Sequence, residues 1–172
     1  MDALKQLSNY KDLNNVPYIL FGALVIDLVV IALTKNNLLG TNLKVWYDNF
    51  GLSAVIADTL ILVLGILIAQ YLYTEFFSKS TPIIFLVLIG IVQLIHDVLF
   101  YIFAIEGTPK GQNKIMDLFK TYAKELSGKI LGGDLLMILG SAGVAAYATT
   151  LSKPLFVFLS VLAVYTVPYI IA

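Results

Sequence analysis

The chain has 172 residues, 59% of them hydrophobic, and a formal net charge of zero. A soluble domain is nearer ~45–50% apolar, so composition alone points to a membrane protein, and the balanced charge gives no basis for nucleic-acid binding. The absence of cysteine excludes disulfides, thiol redox chemistry and thiolate-held metals.

All eleven basic residues are lysine, which rules out bidentate guanidinium recognition of phosphate or carboxylate and argues against phosphatase-type lipid chemistry. The first fifteen residues are polar and mixed in charge. They lack the basic start, short apolar core and small-residue cleavage site of a signal peptide. Five apolar runs follow, at about 16–34, 52–77, 82–104, 130–151 and 154–172. At 1.5 Å rise per residue, ~20 residues cross the ~30 Å hydrocarbon core, so each run predicts a span. The fold class is therefore all-α: a polytopic membrane protein with five transmembrane helices in a single bundle covering 1–172.

Trp46 and Tyr47, just before the second span, read as interfacial anchors. Between the third and fourth spans, Ile115, Met116, Leu118, Phe119, Tyr122, Ala123 and Leu126 recur at helical spacing, which predicts an amphipathic helix over about 112–127. It either lies with its apolar face in the membrane interface or packs across the mouth of the bundle. Only Ser152-Lys153 joins the last two spans, so they are expected to form a tight antiparallel pair.

Let side A be the side of the N-terminus and side B the opposite one. Lys35, Lys44, Lys110, Lys114, Lys120, Lys124 and Lys129 fall on B, against Lys5, Lys11, Lys79 and Lys153 on A. The positive-inside rule then places B, with the C-terminus, in the cytoplasm and the N-terminus outside.

Polar residues inside the spans carry the functional signal, because ionisable groups in a bilayer are costly. Each of the first four spans holds one aspartate: Asp27, Asp58, Asp97 and Asp134. Counted from the B ends, all four lie roughly 6–11 Å deep, in one layer. Gln93, His96 (the only histidine), Asp97 and Tyr101 share one side of the third span, and Asp134 and Ser141 align on the fourth. Small residues on the same faces, such as Ala23, Ala54, Gly65 and Ala145, allow close helix approach. The A half contributes only Gln70 and Ser160, so the layer predicts a pocket or half-channel open to B.

No lysine lies inside the spans to offset four ionised aspartates. Either most are protonated or a cation is bound. Three functions fit: proton- or cation-linked binding or transport, a structural network of neutral acids that fixes helix packing, or a membrane-embedded enzyme dependent on aspartate or a metal. A divalent cation is the one cofactor the residues allow for, with Asp58, His96, Asp97 and Asp134 as candidate ligands. Lipid is the expected partner, and a homo-oligomer is compatible with the sequence.

Gly140-Ser141-Ala142-Gly143 resembles the serine motif of rhomboid proteases, but the spans are too few. Gly132-Gly133-Asp134 with Asp97 resembles the two-aspartate intramembrane proteases, with Leu131 where that motif has its first glycine. The stretch Trp46-Tyr47-Asp48-Asn49-Phe50-Gly51-Leu52-Ser53-Ala54-Val55-Ile56-Ala57-Asp58, the His96-Asp97 pair and the segment from Pro109 to Glu125 resemble uncharacterised multi-pass membrane proteins of large DNA viruses of algae and protists. That resemblance implies a viral or host membrane and no particular activity.

Overall fold

The computed structural model describes residues 2–126 and 129–172; the side chains of 124–130, among them Lys124, Leu126 and Lys129, lie outside the described part. Every regular element among the described residues is helical: α1 (Asp2–Leu7), α2 (Asn15–Lys35), α3 (Thr41–Phe50), α4 (Leu52–Phe76), α5 (Pro82–Leu99, continued by a π-helical stretch, Phe100–Glu106), α6 (Lys114–Leu126), α7 (Lys129–Ala148) and α8 (Lys153–Ile170). Five of these, α2, α4, α5 with its π-helical extension, α7 and α8, are long and apolar enough to cross a membrane. The chain is thus an all-helical integral membrane protein. The amphipathic helix is α6; residue 127, its expected end, lies outside the described residues.

The tightest seam joins α2 to α7. A Cβ placed on Gly22 would lie 2.3 Å from the Ser141 carbonyl oxygen and 2.8 Å from the Ala145 nitrogen, so only glycine allows the two backbones to come so close. Ile19, Ala23, Ile138, Ala142 and Ala145 are buried in the same core cluster. This seam changes the arrangement expected for the last two spans. One face of α7 is taken by α2, and α8 packs chiefly on α2. Phe156 of α8 meets Tyr18 and Phe21 of α2 at ring-centroid distances of 4.5 and 5.6 Å.

Side A is closed by the N-terminal segment. Leu7 is fully buried, and its carbonyl accepts a hydrogen bond from the Gln70 side chain of α4. Thr74 Oγ1 donates to Ser8 O (3.1 Å) and accepts from Tyr10 N (3.2 Å). Asn15 donates to the carbonyls of Gln6 and Asn9. These bonds satisfy chain ends that would otherwise present bare backbone to an apolar bundle.

Side B is built differently. After α2, a short connection leads into α3, which the sequence pattern did not suggest. Gly51, with φ of +47°, then turns the chain directly into α4. A left-handed backbone at this point folds α3 back over the start of α4, which places Trp46 and Tyr47 above Asp58. α6 lies across the mouth of the bundle: Phe119 packs on Trp46 and on Phe100 at 5.0 and 5.9 Å between ring centroids.

Candidate functional site

At the B end, α3, α4, α5, α6 and α7 surround a cavity of about 650 Å³. Asp58 enters it from α4, Gln93, His96 and Asp97 from α5, and Asp134 from α7. Tyr101, half exposed, stands at its outer edge. The rest of the wall is apolar, including Leu62, Ile105 and Met137, with Phe119, Tyr122 and Ala123 of α6 as a roof. The fold therefore brings together six of the eight residues that sequence reasoning named for the polar cluster. Asp27 is fully buried behind the cavity wall. Ser141 is elsewhere: its hydroxyl donates to Met137 O one turn back (2.7 Å), and its backbone faces Gly22 across the α2–α7 seam. Two helical turns of register align it with Asp134, but α2 covers that level of α7.

Trp46 and Tyr47, read from sequence as interfacial anchors, are instead 3% and 0% exposed. Trp46 Nε1 donates to Asp58 Oδ2 at 2.8 Å. The Tyr47 phenol oxygen lies 2.7 Å from Asp27 Oδ1 and 3.0 Å from Asp58 Oδ2. A phenol carries one hydrogen and cannot donate to both carboxyls. The arrangement closes if Tyr47 donates to Asp58, which already accepts from Trp46, while a protonated Asp27 donates to the phenol oxygen. Asp27 Oδ2, buried with no partner, then belongs to a neutral acid and not to a bare charge. Burial, reinforced by the negative fields of Asp58 and Asp27, pushes the Tyr47 phenol far above its ordinary pKa, so it stays a donor. These four residues form a clasp that ties α3 to α2 and α4.

Across the cavity, Asp97 is held on one oxygen only. Gln93 Nε2 donates to Asp97 Oδ1 at 2.7 Å, one helical turn away, and His96 Nδ1 lies 3.1 Å from the same oxygen. The His96 ring stacks on Phe100 with its plane 16° off parallel. Asp97 Oδ2 is buried and has no partner, in a side chain that is 12% exposed. Asp134 lies within electrostatic reach of Asp97, Asp58 and His96. Among the described residues it makes no hydrogen bond.

Among the described residues, no three histidine, aspartate or glutamate side chains converge closely enough to hold a metal ion. Asp58, His96, Asp97 and Asp134, the possible ligands of a divalent cation, are therefore not gathered into such a group. Among the described residues, no lysine lines the cavity. Lys35 pairs with Asp48 at 2.8 Å, and Lys120 donates to Thr108 O.

No protein-family model matches the chain, and no curated protein or solved structure matches it either. Function has to be argued from the site itself.

Proposed function

We propose that the protein is a multi-pass membrane protein whose B-side acidic cavity binds a cation in exchange for protons, as a binding or transport site. One observation carries the reading: three carboxyls from three helices, Asp58, Asp97 and Asp134, face one cavity that no lysine among the described residues lines. Three ionised acids in such a space repel one another, so protons or a cation must offset them. The closed A end, where Gln70 and Thr74 hold the N-terminal segment, supports access from B alone. Lysine bias supports B as the cytoplasmic face with the N-terminus outside. The sequence resemblance supports a viral or host membrane as the location.

Potentiometric titration of the purified protein against the Asp58→Asn/Asp97→Asn/Asp134→Asn variant tests this. Among the described residues, the groups facing the cavity or its clasp are Asp27, Tyr47, Asp58, His96, Asp97, Tyr101 with Glu106 beside it, Tyr122 and Asp134. The wild type is expected to exchange at least one more proton than the variant between about pH 5 and pH 9. Identical titration of the two folded proteins would show that the carboxyls hold no exchangeable proton, and the reading would fall.

A second reading is a structural membrane protein, of a virion or a host membrane, whose acids only fix helix packing. The clasp favours it, since Asp27 and Asp58 are both bonded by side chains of α3. It explains Asp27 and Asp58 well but assigns nothing to Asp97 Oδ2 or Asp134.

A further inference from the structure

We infer that α3 is a lid over the B-side cavity, held shut by the proton on Asp27 and released toward the B surface when that proton leaves. The inference concerns access to the cavity and goes beyond the cation-linked reading, since it holds whatever the cavity binds. It starts from a proton count. The Tyr47 phenol oxygen lies 2.7 Å from Asp27 Oδ1 and 3.0 Å from Asp58 Oδ2, and its one hydrogen serves only one of them. With Asp27 protonated, both contacts are hydrogen bonds. Without that proton, two carboxylates face a single hydrogen, and one pair of oxygens is left in contact with nothing between them. Asp27 is fully buried, so its charge would also be bare of water.

The way α3 is anchored turns that local conflict into a movement. Its buried residues are Trp46 and Tyr47, the two that make the clasp, while Leu43 and Phe50 are only partly buried. Both ends are built to pivot. Gly40 and Gly51 flank the helix, Asn37 ahead of it has φ of +60°, and a Cβ on Gly51 would meet no atom within 4 Å. Leu43, Trp46 and Tyr47 also line the cavity, and Phe119 of α6 rests on Trp46. A displaced α3 therefore opens the mouth and takes a support from the roof.

The sign of the pH response follows. In the open form Asp27 meets water and ionises as an ordinary carboxyl does. The closed form holds one proton more, so rising pH favours opening, by about tenfold in the open-to-closed ratio per pH unit. Other charged groups surround the clasp. Among the described residues, Asp58 of α4 is the charge whose field reaches Asp27, and Asp134 of α7 lies within electrostatic reach of Asp58. His96 and Asp97 of α5 and Tyr122 of α6 line the cavity with Asp58. Lys35 of α2 pairs with Asp48 of α3, Lys44 donates to Asn37, and Tyr165 and Tyr169 of α8 bond one another.

Trp46 is the only tryptophan, is buried and sits on the lid, so quenching of its emission by acrylamide, a neutral solute, reads opening directly. The purified protein in nonionic detergent is followed between about pH 5 and pH 9, above the ordinary range of a carboxyl and below that of a phenol. Quenching is expected to rise in a single one-proton step while helicity, read by circular dichroism, stays constant. Asp27→Asn is expected to keep Trp46 shielded at every pH, because the amide donates to the phenol as the protonated acid does and has no proton to lose. Asp27→Leu serves where the Asn variant does not fold, and it too is expected to remove the step. Asp97→Asn/Asp134→Asn is expected to retain it. Constant shielding of Trp46 in the wild type, a step that survives in a folded Asp27 variant, or a step lost from a folded Asp97→Asn/Asp134→Asn would each overturn the inference. Asp27 is intact in the triple variant titrated for the cation-linked reading, so either idea can fall while the other stands.

Discussion

Asp58 and Asp97 face the same cavity from neighbouring helices, yet their surroundings differ. Asp58 Oδ2 accepts from both Trp46 and Tyr47, and Tyr47 links it onward to Asp27. Asp97 is bonded on one oxygen by a residue of its own helix, and its other oxygen is buried and unpaired. The first arrangement crosses three helices, with Asp27 Oδ2 itself left buried and without a partner. The second stays within one helix and leaves one oxygen enclosed without a partner. Buried polar groups left unpaired are rare because each costs about 1–3 kcal/mol. The fold therefore ties Asp58 to other helices through Trp46 and Tyr47 and holds Asp97 only by side chains of its own helix.

The largest expected effect tests the frame that holds the two apart. α2 carries Asp27 and α7 carries Asp134, and Gly22 sets the distance between these helices. Gly22→Ala forces a Cβ to 2.3 Å from the Ser141 carbonyl oxygen, so the seam must open. The cost is expected at about 2–3 kcal/mol, the upper part of the overpacking range, read as lost resistance to unfolding in mixed detergent. A neutral result would mean that α2 and α7 are not so closely packed, and the relative placement of clasp and cavity would go with it.

Next comes the clasp. Tyr47→Phe removes the hydroxyl that links Asp27 to Asp58 and is expected to destabilise by about 1–3 kcal/mol. The pH dependence has a definite sign. Tyr47 in the unfolded chain loses its proton near an ordinary pKa of about 10, while in the folded protein burial holds the proton on. The unfolded state then binds fewer protons, so stability falls as pH rises past about 10, and Tyr47→Phe removes that share of the fall. Equal alkaline slopes in both proteins would show that the phenol is not held in a buried clasp.

The spans and the level of the acids were legible in the sequence because both depend on local facts, apolar run length and rise per residue. The clasp was not. Trp46 and Tyr47 each join an apolar ring to a polar tip, which suits a membrane interface and a buried donor equally well. The deciding facts were that Gly51 turns α3 back and that Asp27 lies within reach, and neither is a property of the residues around Trp46. Ser141 shows the opposite error: its register with Asp134 is real, but register along a helix says nothing of which neighbour covers it. That Gln93 and Asp97 share one side of α5 was legible, since residues i and i+4 of one helix are neighbours without tertiary information, and the structure adds the hydrogen bond between them.

The roof is expected to matter less than the clasp. Phe119→Ala removes the ring that packs on Trp46 and Phe100 at the mouth, where α6 is only partly buried. A loss of about 1 kcal/mol is expected, below the ~3–5 kcal/mol of a core phenylalanine, together with a red shift of Trp46 emission as the cavity becomes more open. An unshifted emission would show that α6 does not cover the cavity.

The smallest effect on stability carries the sharpest contrast. Asp97→Asn keeps the shape of the side chain and can still accept from Gln93, so stability is expected to change by less than about 0.5 kcal/mol. Asp58→Asn faces two donors at one oxygen and loses the charge that both bonds exploit, so it should cost about 1–2 kcal/mol more. Thermal unfolding of the two variants side by side tests whether the acids differ in kind. If Asp97→Asn is as damaging as Asp58→Asn, Asp97 is a packing residue like Asp58. If it is benign, stability does not account for an aspartate at 97, and the carboxyl is free to bind.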